Sequence, residues 1–181
     1  MMHRVFIPYG MVLALAAMPA AHAQMTERGA TVAPDASIAR SDVAWMEKAV
    51  RAGIAEIEAG KLAMAQGKRD AVRNFGKTMV ELHGKANEDL IAIAGRKRVL
   101  LPARTDAAHI KALASLAGLS GDAFDKEYIR TAGIKDLTDA AILFEDGASN
   151  LKDPDLKAYA QQAVPVIKRH FEMVREIQPV P

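Results

Sequence analysis

The chain contains no cysteine, and this absence removes several chemistries at once. Disulfide bonds, thiolate zinc sites, catalysis by a thiol nucleophile and a lipid-modified cysteine anchor all require that side chain. Each of these is therefore excluded for this protein.

Aromatic residues and excess charge are also scarce. Only 5% of the 181 residues are aromatic, although 50% are hydrophobic, so much of the apolar content is small side chains such as Ala. That composition suits closely packed helices better than a β-sandwich, and the length suffices for one domain with a core. The net charge is +2, so no electrostatic argument favours nucleic acid or an anionic membrane as a partner.

Sequence motifs for catalysis are missing as well. The chain has no phosphate-binding loop and no dinucleotide fingerprint. Ser120 lies in Gly118-Leu119-Ser120-Gly121, which is not the pattern of a nucleophile elbow. A non-enzymatic role is therefore favoured, and no catalytic residue is predicted.

The N-terminal region has the features of a targeting segment. A weakly basic start precedes a short apolar run, and Ala21-His22-Ala23 forms a small-residue cleavage signal. The apolar run is too short to span a bilayer. Residues 1–23 are predicted to be a signal peptide cleaved after Ala23, which indicates export to the periplasm. Residues 24–40 are predicted to be a flexible N-terminal arm.

Apolar residues recur every three or four positions in the remaining chain, which predicts helices. Four long helices are expected over residues 41–66, 69–97, 122–149 and 154–177, and residues 178–181 form a tail. Ser41-Asp42 is expected to cap the first, and Asp153-Pro154 to begin the last. A long connection with one short helix near residues 106–117 predicts a crossover. The predicted domain, residues 41–177, is thus an all-α antiparallel four-helix bundle.

The third long helix is predicted to have a buried stripe, a second apolar flank and a polar side. Phe124, Tyr128 and Ile142 lie on the second flank, so burial on two sides is expected. Lys126, Asp136 and Asp139 belong to the predicted polar side. The predicted stripe consists of Ala123, Ile134, Leu137, Ala141, Phe144 and Ala148.

Three polar side chains lie on or beside the apolar faces. Glu56 occupies the small-residue face of the first helix, where a carboxylate has to be paired, metal-bound or protonated. His83 lies about 55° from the centre of its helix face, and His170 is in the middle of the last stripe. Counted along antiparallel helices, they lie within about two turns of one another. Glu56, His83 and His170 are therefore candidate ligands for one zinc, copper or iron ion. The alternative is that each histidine is hydrogen-bonded to a neighbour, with Glu56 paired to one of them.

Several motifs resemble the exported domain-of-unknown-function family 4142, whose members are often labelled outer-membrane proteins. The resemblance covers residues 43–177 and implies a ferritin-like four-helix bundle in the bacterial envelope, without a known activity. The motifs are GIAEIEAGKLA (53–63), FGKTMVELHGKANEDL (75–90), LP (101–102), FDKEY (124–128), AAILFE (140–145) and VPVIKRHFEMV (164–174).

The family pattern includes Asp-His pairs in the second and third helices. Here His83 follows Leu82 rather than Asp, and Asp136 precedes Leu137 rather than His. His170 matches the histidine of the last helix. The Glu-x-x-His motifs of di-iron bundles are absent, which argues against a ferroxidase centre.

These observations predict an exported periplasmic helical-bundle protein that binds an envelope protein or a metal ion. A stress-related role rests on analogy with other exported bundles. One alternative is a metal-binding protein or metal-dependent redox enzyme with a degenerate ferritin-like site. Another is a structural module that forms homo-oligomers through an exposed apolar face. No membrane span is expected after signal cleavage.

Overall fold

The structure, a computed structural model, describes residues 38–178, and this part of the chain is helical without a strand. The all-α prediction is therefore confirmed for these residues. The predicted signal peptide, most of the N-terminal arm and the last three residues lie outside the described range. The helices are α1 (Arg40–Gln66), α2 (Asp70–Arg96), α3 (Ala107–Ala117), α4 (Gly121–Tyr128), a π-helical segment (Ile129–Asp136), α5 (Leu137–Asn150) and α6 (Pro154–Ile177).

The first helix begins differently from the prediction. Its N-cap is Ala39, which makes no side-chain capping bond, so the expected cap at Ser41-Asp42 is wrong. Asp42 is instead buried, and its Oδ2 accepts hydrogen bonds from the backbone N–H groups of Lys152 (3.0 Å) and Asp153 (2.7 Å). A carboxylate in the first turn of α1 thus holds the loop that precedes α6.

The last helix begins as predicted. The Asp153 side chain accepts hydrogen bonds from the N–H groups of Asp155 and Leu156, and Pro154 occupies the first turn. This cap satisfies donors that have no partner within the helix. Pro165 lies inside α6, which continues through it to Ile177.

Helices pack mainly as two pairs, α1 with α2 and α5 with α6. Close approach in the first pair depends on Gly76, because an added Cβ there would lie 2.6 Å from Ala63 Cβ and 2.7 Å from the Gly60 carbonyl oxygen. Gly84, on the same helix, has no atom within 4 Å of such a Cβ. Only the first of these two glycines is needed for helix contact.

One continuous helix runs through α4, the π-helical segment and α5. The π segment has wider turns than an α-helix, so it shifts the buried face partway along. The stripe predicted from a uniform α-helical period is therefore partly wrong: Ala123 and Ile134 are exposed. Leu137 of the predicted stripe is buried, and so are Phe124 and Tyr128, which lie on the second flank of this helix.

The buried apolar residues form two separate clusters. One contains Met79 and Phe124, and the other contains Trp45 and Leu90. Each cluster joins α1 and α2 to α6, at opposite ends of the long helices. The polar side chains in the middle of these helices belong to neither cluster. Among residues 38–178, no helix is long and apolar enough to cross a membrane.

Candidate functional site

A cavity of about 370 Å³ lies between the two helix pairs. It is lined by the middle parts of α1, α2, α5 and α6, by Asp136 at the end of the π segment, and by His109 of α3. Leu82 and Val166 belong to its lining and are more than 40% exposed, so the cavity reaches the surface. The two apolar clusters lie on either side of this polar middle layer.

Glu56 lines the cavity from α1 and is only 4% exposed. Neither of its carboxyl oxygens has a hydrogen-bond partner within the protein. Burial, together with the negative charge of Asp136, raises the pKa of Glu56 well above its usual range. The neutral carboxylic acid is therefore favoured over a wider pH range than for an exposed glutamate.

His83 and His170 face each other across the cavity from α2 and α6. Their ring centres are 5.5 Å apart and the ring planes are tilted by 51°. Burial lowers the pKa of both histidines to about 4, and the neighbouring His170 contributes to the shift of His83. Both rings are therefore neutral at pH 7, and each has one acceptor nitrogen.

The histidine nitrogens that are buried also have no partner within the protein. These are Nε2 of His83 and both ring nitrogens of His170. The interpretation of these histidines as hydrogen-bonded core residues, with Glu56 paired to one of them, is therefore wrong.

The three predicted site residues do line one cavity, yet they do not form a compact ligand set. Among residues 38–178, no group of three or more His, Asp or Glu side chains is arranged so that it could hold a metal ion. The missing Glu-x-x-His motifs and this spacing do not fit a di-iron centre. Metal binding by Glu56, His83 and His170 remains a prediction.

The sequence reading missed Asp136 as a site residue. It was assigned to the polar side of its helix, but it lines the cavity and its charge acts on Glu56. The helix period contains no signal for this placement, because Asp136 is the last residue of the π segment, where the register changes. The available signal was its match to the aspartate of the family's Asp-His pair. His109 is half-buried at the cavity and paired with Asp106 at 2.9 Å.

Aromatic side chains form part of the apolar wall. Phe144 and Tyr159 line the cavity with ring centres 6.1 Å apart. The Tyr159 hydroxyl donates a 3.0 Å hydrogen bond to the Ala86 carbonyl oxygen, which fixes the ring between α2 and α6. Behind this wall, Trp45 Nε1 donates a 3.0 Å hydrogen bond to the Leu143 carbonyl oxygen. The wall is therefore held by contacts that do not use the cavity's own polar atoms.

The cavity thus combines apolar walls with a small set of buried polar groups that lack partners. Buried polar groups are usually hydrogen-bonded, and exceptions often mark a place where another molecule binds. The volume lies within the range of about 300–1,000 Å³ that is typical of small-molecule sites.

Comparisons with known proteins give one match. A protein-family model described as "Domain of unknown function (DUF4142)" matches residues 27–177. No significant match was found among curated proteins or among solved structures.

Proposed function

The chain belongs to the DUF4142 family, and we propose that it is an exported ligand-binding protein whose small ligand occupies the central cavity. Export to the periplasm rests on the signal-peptide features of residues 1–23. The proposed architecture is a ferritin-like four-helix bundle with α3 in the crossover. Two packed helix pairs and the long connection between them support that architecture.

One observation carries the binding proposal: Glu56, His83 and His170 place buried polar atoms in the same cavity without partners within the protein. Each unpaired buried group costs about 1–3 kcal/mol. A core selected only for stability would replace such groups with apolar side chains. A ligand that hydrogen-bonds to them recovers this free energy when it binds.

Binding of the neutral apolar dye Nile red tests whether the cavity accepts a small molecule. Dye fluorescence should rise and saturate at one dye per chain, because the apolar walls exclude water from the dye. Ala163 lines the cavity, so the Ala163→Phe variant should fill it and weaken dye binding at least tenfold.

The matched control is Ala158→Phe, on the same helix at an exposed position outside the cavity. This variant should bind the dye as the wild type does. Unsaturable dye binding by the wild type, or equal binding by Ala163→Phe, would contradict the proposal. Thermal melts followed by circular dichroism serve to check that the wild type and both variants are folded under the conditions of the dye titration.

A second candidate function is metal binding, which the histidine pair favours. Two imidazoles that bind one ion through nitrogens about 2.1 Å away have ring centres roughly 5–6 Å apart. The observed separation of His83 and His170 is 5.5 Å. Glu56 is the residue predicted to complete the ligand set, and zinc, copper and iron are the ions that such ligands suit.

Metal content after exposure to each of these ions, followed by dialysis, tests this second candidate. The wild type should retain about one ion per chain, and the His83→Ala/His170→Ala variant should retain none. His109→Ala is the control, since that imidazole is already paired with Asp106. Retention of the same amount by the double variant, or no retention by the wild type, would rule out the proposed ligands.

A further inference from the structure

We propose that the cavity selects a small organic cation, an ammonium group attached to an apolar body. This inference rests on the proposed function, because it names the class of ligand for the same cavity. It follows from three independent properties of the lining: the sign of its charges, the hydrogen-bonding character of its buried atoms, and the nature of its walls.

The charged side chains of the lining are mostly acidic. Glu56, Asp89, Asp136 and Asp139 contribute carboxyl groups, whereas Lys85 is the one Lys or Arg side chain among the lining residues. Lys85 forms an ion pair with Asp89 on the exposed side of α2. Lys135, which is not a lining residue, pairs with Asp136 and Asp139, so Glu56 is the lining carboxyl group without a cationic partner among residues 38–178. An anionic ligand would therefore find no free cation in the lining, and the cost of burying its charge would be uncompensated.

The buried polar atoms favour a ligand with several N–H donors. Glu56 offers an acceptor oxygen whether or not its carboxyl group is protonated, and the neutral rings of His83 and His170 have one acceptor nitrogen each, beside one N–H donor. An ammonium group carries three donors and no acceptor, so it complements these atoms better than a hydroxyl group does.

The walls distinguish an organic cation from a bare metal ion. Alanine and branched aliphatic side chains line much of the cavity, together with Phe144 and Tyr159. A metal ion would use only the polar atoms and leave these apolar walls without contact. An apolar body attached to the ammonium group would pack against them, which contributes about 25 cal/mol per Å² of apolar surface removed from water.

Three probes of nearly the same shape separate these contributions: 3-phenylpropylamine, 3-phenylpropanol and 3-phenylpropionate. The affinity of each probe is measured by isothermal titration calorimetry at pH 7.5, with protein that is expressed from the full-length sequence and then purified. We expect the amine to bind at least tenfold more tightly than the alcohol, and the carboxylate to bind more weakly than either.

Two matched variants test whether Glu56 is the side chain that binds the ammonium group. Glu56→Gln keeps the shape of the side chain but replaces one oxygen with an NH₂ donor, which cannot accept a hydrogen bond from an ammonium group. It should weaken amine binding at least tenfold and alcohol binding much less, because a hydroxyl group can accept from that donor. Glu58→Gln is the control, because Glu58 is exposed on α1 and paired with Lys61. Its affinities should equal those of the wild type.

Equal affinity for amine and alcohol, or unchanged amine affinity in Glu56→Gln, would overturn the inference while leaving cavity binding intact. Saturable Nile red binding without binding of any phenylpropyl probe would also overturn only this inference. Absence of both dye and probe binding would overturn the proposed function as well.

Discussion

Replacing Glu56 by Gln should stabilise the protein at neutral pH. In the unfolded chain this carboxyl group ionises near its ordinary pKa of about 4.5. In the folded protein, burial and the Asp136 charge raise its pKa, so folding above pH 4.5 requires the group to take up a proton or to bury an unpaired charge. The Gln side chain is neutral in both states and avoids that requirement.

The size of the effect follows from the pH interval. A raised folded pKa favours the native state fully below about pH 4.5, and this contribution is lost as pH rises toward the folded pKa. Each pH unit in that interval changes the free energy of unfolding by about 1.4 kcal/mol. At pH 7 the gain from Glu56→Gln is therefore at most about 3 kcal/mol, which corresponds to roughly 6–12 °C in melting temperature for a domain of this size.

Urea denaturation at several pH values between 4.5 and 8 measures this difference. The stability gain of Glu56→Gln over the wild type should be near zero at pH 4.5 and should grow toward neutral pH. Glu58→Gln, at an exposed position on the same helix, should give a small difference that does not vary with pH. A Glu56→Gln protein less stable than the wild type at pH 7, or a pH-independent difference, would refute the reasoning.

Three further predictions concern stability in urea. Gly76→Ala should lower the free energy of unfolding by about 1–3 kcal/mol, because the added methyl group overpacks against α1. Gly84→Ala should raise the free energy of unfolding by about 0.5–1 kcal/mol, because Ala has the higher helix propensity and the site has room for it. A Gly76→Ala protein more stable than Gly84→Ala would contradict the contact at Gly76. Asp42→Ala should cost about 1–3 kcal/mol, because two backbone N–H groups before α6 lose their acceptor; an unchanged midpoint would show that water replaces it. In the Glu56→Gln background, where the opposing titration of Glu56 is removed, stability should decline as pH falls from about 6.5 to 4, since His83 and His170 take up protons more readily when unfolded. Adding His83→Gln/His170→Gln should remove much of that decline.

The helical organisation was accessible from the sequence because its causes are local. The predicted last helix has the observed bounds Pro154–Ile177, and the predicted ends of α1 and α2 differ from the observed ends by at most one residue. Apolar spacing of three and four residues specifies a helix wherever it occurs, and the Asp153 cap acts on neighbouring N–H groups. Such signals need no information about distant parts of the chain.

Glu56, His83 and His170 were found by the same local logic. A polar residue within an apolar stripe faces inward regardless of what it meets there, so its burial was predictable. The structure places all three at one cavity, in agreement with their similar heights along the helices. The apolar stripe pattern does not predict whether these residues bind a metal ion or an organic cation, because that choice depends on the distances between their polar atoms and on the other residues of the cavity.

Tertiary structure decided the features that depend on distances between helices. Asp42 interacts with residues 110 positions later, and the π segment turns Asp136 toward the cavity. The orientation of Glu56 and the two imidazoles leaves them without partners, although the sequence equally allowed them to pair. The sequence alone thus determined the helices and placed Glu56, His83 and His170 on their inner faces. The packing of the helix pairs determined what each side chain meets, because a shift of about one residue in register changes the direction of a side chain by about 100°.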